Sequence, residues 1–256
     1  MGGRGSRSGG IGAFGGGGGG ALGGIRTAQV ASPMPNIRPG QPVPAITVQQ
    51  LQNMSDQEFV NYLNGLKSTP IDTLTYYNSS WDTQRLVANM PELNKAPSVV
   101  DPGTFATLPG ETLYRTVNRS GSESALDICG RTMSSDVTTI GSGRMGDGFY
   151  FATSKTTSQQ GYGNTRNNIR ATATMSAKLN SNAKIITESR LQSMVSNEKS
   201  AVRSAIRNMR SDGQWSGSGY MAYALRKGYN VVSAGSIYNI IDRNAATWSG
   251  EVVPMS

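Results

Sequence analysis

Gly146-Asp147-Gly148-Phe149-Tyr150-Phe151-Ala152 is the stretch on which the fold turns. Two glycines allow a sharp turn and a close approach of the backbone to a ligand. The aromatic run behind them reads as a buried strand. The wider glycine-rich segment, 141–148, enters a strand rather than opening a helix. It lacks the Gly-Lys-Ser/Thr of a phosphate loop and the setting of a dinucleotide fingerprint. That argues against a Rossmann site and for another way of holding a nucleotide.

Upstream, Leu113-Tyr114-Arg115-Thr116-Val117 alternates within a strand over 112–117, with Tyr114 and Thr116 on one face and Leu113, Arg115 and Val117 on the other. Arg115 has two readings. One is a solvent-facing strand residue. The other is a guanidinium whose planar donors grip two oxygens of a phosphate or ribose. Tyr150 and Tyr162 are core aromatics on the plain reading. On the sharper one, two rings separated by a short polar helix sandwich a flat ring.

Working outward, Ser55-Asp56-Gln57-Glu58 is a capping box opening a helix with Phe59, Leu63 and Leu66 on one face. A second helix covers 80–87. The stretch 94–109, punctuated by Pro97, Pro102 and Pro109, reads as extended or looping. Short helices are expected at 124–131 and 154–162, and strands at 149–152, 169–175 and 183–186. One long helix is expected over 188–210, with Val202, Ala205, Ile206 and Met209 on its buried side. A shorter helix at 220–227 and strands at 229–232, 238–242 and 248–253 complete the pattern. The class is α+β with mostly antiparallel strands and no βαβ alternation of the doubly wound kind.

Composition sets the boundaries. Of 256 residues, 36% are hydrophobic, low for a wholly folded chain. The deficit lies in the first 45 residues, Gly-rich and then Pro-rich, which cannot bury enough apolar surface to offset the entropy of ordering. The expected organisation is a disordered Gly/Pro-rich tail and linker over 1–46, a helical lobe over 47–95 and a core over 96–256. The net charge of +8 reflects few acids rather than basic blocks, and favours solubility over a dedicated anionic partner. With one cysteine, Cys129, and no histidine, an intramolecular disulfide, a thiolate/imidazole zinc site and Ser-His-Asp or Cys-His chemistry are all excluded. No apolar leader of the secretory type and no bilayer-spanning run are present. The start, Met1-Gly2-Gly3-Arg4-Gly5-Ser6, fits the loose myristoylation pattern, which Gly-rich starts match by chance.

Across roughly its C-terminal two-thirds, the chain resembles the ADP-ribosyltransferase family. Gly148-Phe149-Tyr150-Phe151-Ala152-Thr153-Ser154 is similar to the Gly-Ile-Tyr-Phe-Ala stretch of the poly(ADP-ribose) polymerase branch. Ser158 and Tyr162 approximate that branch's downstream serine and second stacking tyrosine, with a one-residue slip. Leu113-Tyr114-Arg115 falls where the bacterial-toxin branch has its arginine. The hybrid is similar to transferase domains associated with bacteriophages, in which a segment like 228–232 precedes one like 238–243.

The resemblance implies a split β-sandwich core and NAD as co-substrate, without a metal. It implies NAD-binding roles for Arg115, Thr116, Gly148, Tyr150, Ser158 and Tyr162, and catalytic roles for Arg115, Tyr150 and Glu251. Tyr150 and Tyr162 would stack on nicotinamide, and backbone groups beside Arg115 would bond its carboxamide. The family's catalytic glutamate aligns with Ser236 or Ile237, so Glu251, in Ser249-Gly250-Glu251-Val252-Val253, is the substitute candidate; as a plain surface strand residue it is equally well explained. The implied activity is mono-ADP-ribosylation of a host macromolecule, a protein in the first instance, in the host cytoplasm or a phage virion. The alternative is a catalytically inactive module of a phage particle. A nucleic-acid partner rests only on charge and on Lys199, Arg203, Arg207 and Arg210 of the long helix, a pattern usual for a solvated face.

Overall fold

Strand pairing sets the architecture. In a computed structural model, described over residues 35–38, 41–70, 81–118, 122–134, 140, 145–162, 172–209 and 217–255, eight strands form one mixed sheet. Across the sheet they run β1 (Ser98–Val100), β8 (Ala246–Met255), β4 (Thr172–Leu179), β2 (Leu113–Asn118), β3 (Phe149–Ala152), β7 (Ile237–Ile240), β6 (Val231–Ala234) and β5 (Ile185–Thr187). Five of the seven pairings are antiparallel; β1 with β8 and β5 with β6 are parallel. The described residues fall in one compact unit, Ser32–Ser256. Expectations for the tail over 1–34, for 141–144 and for Arg210 lie outside the described residues.

The centre of the sheet is apolar because its strands are. All four residues of β3 are buried, and Trp248 of β8 meets Phe149 and Phe151 edge-on at 6.0 and 5.1 Å between ring centroids. Such edge-to-face pairs add to the gain from burial alone.

Helices α1 (Val48–Asn53) and α2 (Asp56–Ser68) both start with capping boxes, at Thr47 and Ser55. The second was legible in the sequence, and its Phe59, Leu63 and Leu66 are fully buried. Helix α3 (Trp81–Asn89) follows. The stretch 94–109 is more ordered than its prolines suggest. It holds β1 and then α4 (Pro102–Thr107), where Asp101 caps the helix and Pro102 sits in the first turn, a position that needs no N–H.

Helix α5 (Ala125–Thr132) and α6 (Lys155–Tyr162) match expectation, and β4 begins among the described residues at Thr172. The single helix expected over 188–210 is two, α7 (Glu188–Ser196) and α8 (Ser200–Asn208), before α9 (Ser218–Arg226). The break lies where Glu198 and Lys199 turn to different partners. Glu198 accepts from Tyr223 at 2.5 Å and pairs with Lys227 at 2.9 Å, while Lys199 pairs with Asp56 at 2.9 Å. Arg203 donates to the Ser196 carbonyl. Of the basic residues expected on one stripe, Lys199 is thus paired with Asp56 and Arg203 bonds to main chain. Among the described residues, no helix is long and apolar enough to cross a membrane.

Asp56 ties α2 to the later helices. It also accepts from Arg226 at 2.9 Å, and that guanidinium stacks 4.7 Å from the Phe59 ring centroid. The bonds from Lys199 and Arg226 hold the Asp56 carboxyl down at about 2. A carboxyl lowered by folding stabilises above its unfolded pKa, near 4, and loses that contribution as pH falls through the folded value. Asp56→Asn is thus expected to lower the thermal midpoint at pH 7. In melts from pH 7 to pH 2, the gap from wild type should narrow steadily below about pH 4.

Candidate functional site

Four of the expected site residues meet where β2 and β3 part. These neighbours share one register pair, Tyr114 with Ala152, whereas β2 shares six with β4. Beyond that pair, main-chain groups facing the gap need other partners, because a buried unpaired N–H or C=O is costly. Side chains supply them. Ser158, on α6, accepts the Thr116 N–H at 2.7 Å and donates back to the Thr116 hydroxyl at 3.0 Å. The Thr116 hydroxyl also shares a hydrogen bond with Thr174 of β4 at 3.0 Å. Across the gap, Arg115 Nη1 donates to the Tyr150 carbonyl at 3.3 Å. Arg115, Thr116, Tyr150 and Ser158 are all buried.

The two faces differ in character. Arg115 lies over the Phe149 ring, 5.6 Å from its centroid, and Arg243, 1% exposed, lies 5.2 Å from the same ring. Phe149 and Tyr150 are consecutive on a strand, so their side chains leave by opposite faces. The guanidinium and the Tyr150 phenol thus occupy opposite faces of β3, and the guanidinium reaches Tyr150 at its main-chain carbonyl. Arg243 donates to the Thr132 and Ser134 carbonyls at the end of α5. On that same helix, burial pushes the Cys129 thiol up to about 12, with Arg115 pulling weakly the other way, so the thiol is no nucleophile.

On the other face, the Tyr150 hydroxyl accepts from the Met145 N–H at 3.1 Å and donates to the Gly146 carbonyl at 2.5 Å. The glycine turn is itself clamped. Gly146 sits at φ +94°, which glycine adopts without strain. At Gly148 a Cβ would overlap the Asn239 amide, so the close approach that this glycine permits is to Asn239. Asp147 is fully buried and accepts a hydrogen bond from Thr83 of α3.

The remaining candidates stand apart or undescribed. Tyr162 ends α6, and its side chain lies outside the described residues. Glu251 is exposed on β8, its N–H donating to Ser249 Oγ at 3.1 Å. Glu251 lies beside the register irregularity between Met175 and Ala177, where β8 bulges against β4. It is three strands from β3, roughly 14 Å at ordinary strand spacing, beyond side-chain reach of Tyr150.

Sequence reasoning passed over Thr83, Thr174 and Asn239. Asn239 carried a usable signal, since an amide in the apolar run Tyr238-Asn239-Ile240-Ile241 must find partners if buried. Among the described residues, no group of three or more His, Cys, Asp or Glu side chains is placed to hold a metal ion. In comparisons with known proteins, no family model, no curated protein and no solved structure matches the chain.

Ser158→Ala leaves the Thr116 N–H facing the gap without its acceptor. A loss of about 1–3 kcal/mol in unfolding free energy is expected, the usual penalty for a buried donor left unsatisfied. Urea unfolding of the variant beside wild type measures it; an unchanged midpoint would mean that solvent already serves that N–H.

Proposed function

We propose that this protein is a mono-ADP-ribosyltransferase, moving ADP-ribose from NAD to a macromolecular acceptor, in the first instance a protein. The observation that carries this reading is the bonding of Thr116 to Ser158, and of Arg115 to the Tyr150 main chain, where β2 and β3 part. The divergence of β2 from β3 also supports a split sheet of the kind that such a core would have.

The chemistry of the gap suits the nicotinamide end. A carboxamide offers one acceptor and two donors. The Thr116 N–H, the Ser158 hydroxyl and the main chain beside them offer the complementary set, held in place by a strand and a helix. The Tyr150 ring gives a flat wall anchored at its hydroxyl, suited to stacking on an aromatic ring. Arg115, whose guanidinium reaches the Tyr150 carbonyl, is assigned to the phosphate or ribose oxygens.

In the proposed reaction, the bond from nicotinamide nitrogen to ribose C1 breaks. Its electron pair leaves with the nitrogen, which loses its positive charge. A new bond forms from C1 to a nucleophilic atom of the acceptor, and the proton of that atom passes to solvent or to a base on the acceptor. The protein contributes position and electrostatic stabilisation. With Ser236 or Ile237 where the family has its catalytic glutamate, slow, single transfer is favoured. With Glu251 three strands away, the acceptor is assigned the base.

A second reading, a non-catalytic module of a phage particle, draws on the same geometry. Arg115 and the Tyr150 hydroxyl both bond to main chain, as braces of a split sheet would.

Purified full-length protein with labelled NAD and a protein mixture separates the two. Label transfer with release of nicotinamide is expected from wild type. Arg115→Ala and Tyr150→Ala are expected to reduce it about tenfold or more, the equivalent of one lost hydrogen bond or stacking contact. No label, no nicotinamide and no NAD-dependent rise in the thermal midpoint would replace the transferase reading with the module.

A further inference from the structure

We infer that Asn239 is a positioning residue for Tyr150, its amide fixing the turn from which the phenol ring is hung. As a role at the site this rests on the transferase reading above; as a clamp it rests on geometry alone.

Asn239 lies directly across the β3–β7 pairing from Tyr150 and is fully buried. Its Nδ2 lies 3.2, 3.3 and 3.4 Å from the carbonyls of Met145, Gly146 and Asp147. Two N–H groups thus serve three successive carbonyls, which curls that backbone around one amide. The Gly146 carbonyl is shared: it accepts from both Asn239 and the Tyr150 hydroxyl. The Met145 N–H closes the ring by donating to the phenol oxygen.

The fit is close on the other side of the amide too. A Cβ at Gly148 would overlap it, and Asn239 Oδ1 is buried with no hydrogen-bond partner. A valine or isoleucine would suit a buried strand better, and a buried amide with an unmet acceptor is costly. The three carbonyl bonds account for its presence. Any change that moves the amide moves the Gly146 carbonyl, and with it the ring proposed to face nicotinamide.

Fluorine NMR on full-length protein labelled with 3-fluorotyrosine reads this directly. Tyr150→Phe assigns the Tyr150 line. Asn239→Ser removes the amide, and Gly148→Ala displaces it by contact from the opposite side. Both are expected to shift or broaden the Tyr150 line while leaving the Tyr229 line in place. Wild-type protein alone gives a further check: its Asn239 side-chain amide protons should be protected from exchange and show a nuclear Overhauser effect to Tyr150. An unmoved Tyr150 line in either folded variant, or no such effect in wild type, overturns the clamp. Nicotinamide added to wild type reads the site role on the same line. A shift there, weakened about tenfold in affinity by Asn239→Ser, supports it. A silent line with the clamp intact overturns the ligand and leaves the positioning of Tyr150 standing.

Discussion

Two neighbouring strands that share one register pair leave polar backbone with nowhere to bond, and the rest of the site follows from that. Where β2 and β3 part, the Thr116 N–H and the Tyr150 carbonyl face a gap instead of each other. Burial makes unpaired groups expensive, so the sequence must supply side chains of the right reach and polarity. Ser158 reaches Thr116 because α6 packs against β2, and Arg115 reaches Tyr150 across the gap. A place where side chains substitute for a missing strand partner is also one where a ligand carrying donors and acceptors can compete for the same groups.

The surroundings pack against that gap from both faces. Below it, the Phe149, Phe151 and Trp248 rings and the two guanidinium groups over Phe149 fill the inner face. Above it, Asn239 and Thr83 hold the glycine turn from a strand and a helix far apart in the chain. The first helices are joined to the later ones by Asp56 with Lys199 and Arg226, and by Gln52 donating to the Leu225 carbonyl. The early helices therefore take part in shaping the site through Thr83 and Asp147.

Local signals were legible in the sequence, and long-range ones were not. The strand Phe149–Ala152 and the capping box at Ser55 could be read because each is set by neighbours a few residues away. The break between α7 and α8 could not, since the helical spacing continues through 188–210 although Asn197 closes α7 and Lys199 precedes α8. Prolines hid α4, whose start tolerates one. At the site, Arg115, Thr116, Tyr150 and Ser158 came from resemblance, and the residue types alone left each with a plainer reading. Gly148 was read as room for a ligand, whereas its free side is filled by Asn239. The distance of Glu251 from β3 depends on sheet order, which no local pattern encodes.

The central claim is that the gap between β2 and β3 is a ligand slot that takes nicotinamide. Amide hydrogen exchange on the full-length protein, residue by residue with and without millimolar NAD, tests it most directly. Added protection concentrated at Thr116 and its neighbours on β2, and at the 145–151 turn and strand, is the predicted result. Identical exchange at those amides in both samples would contradict it.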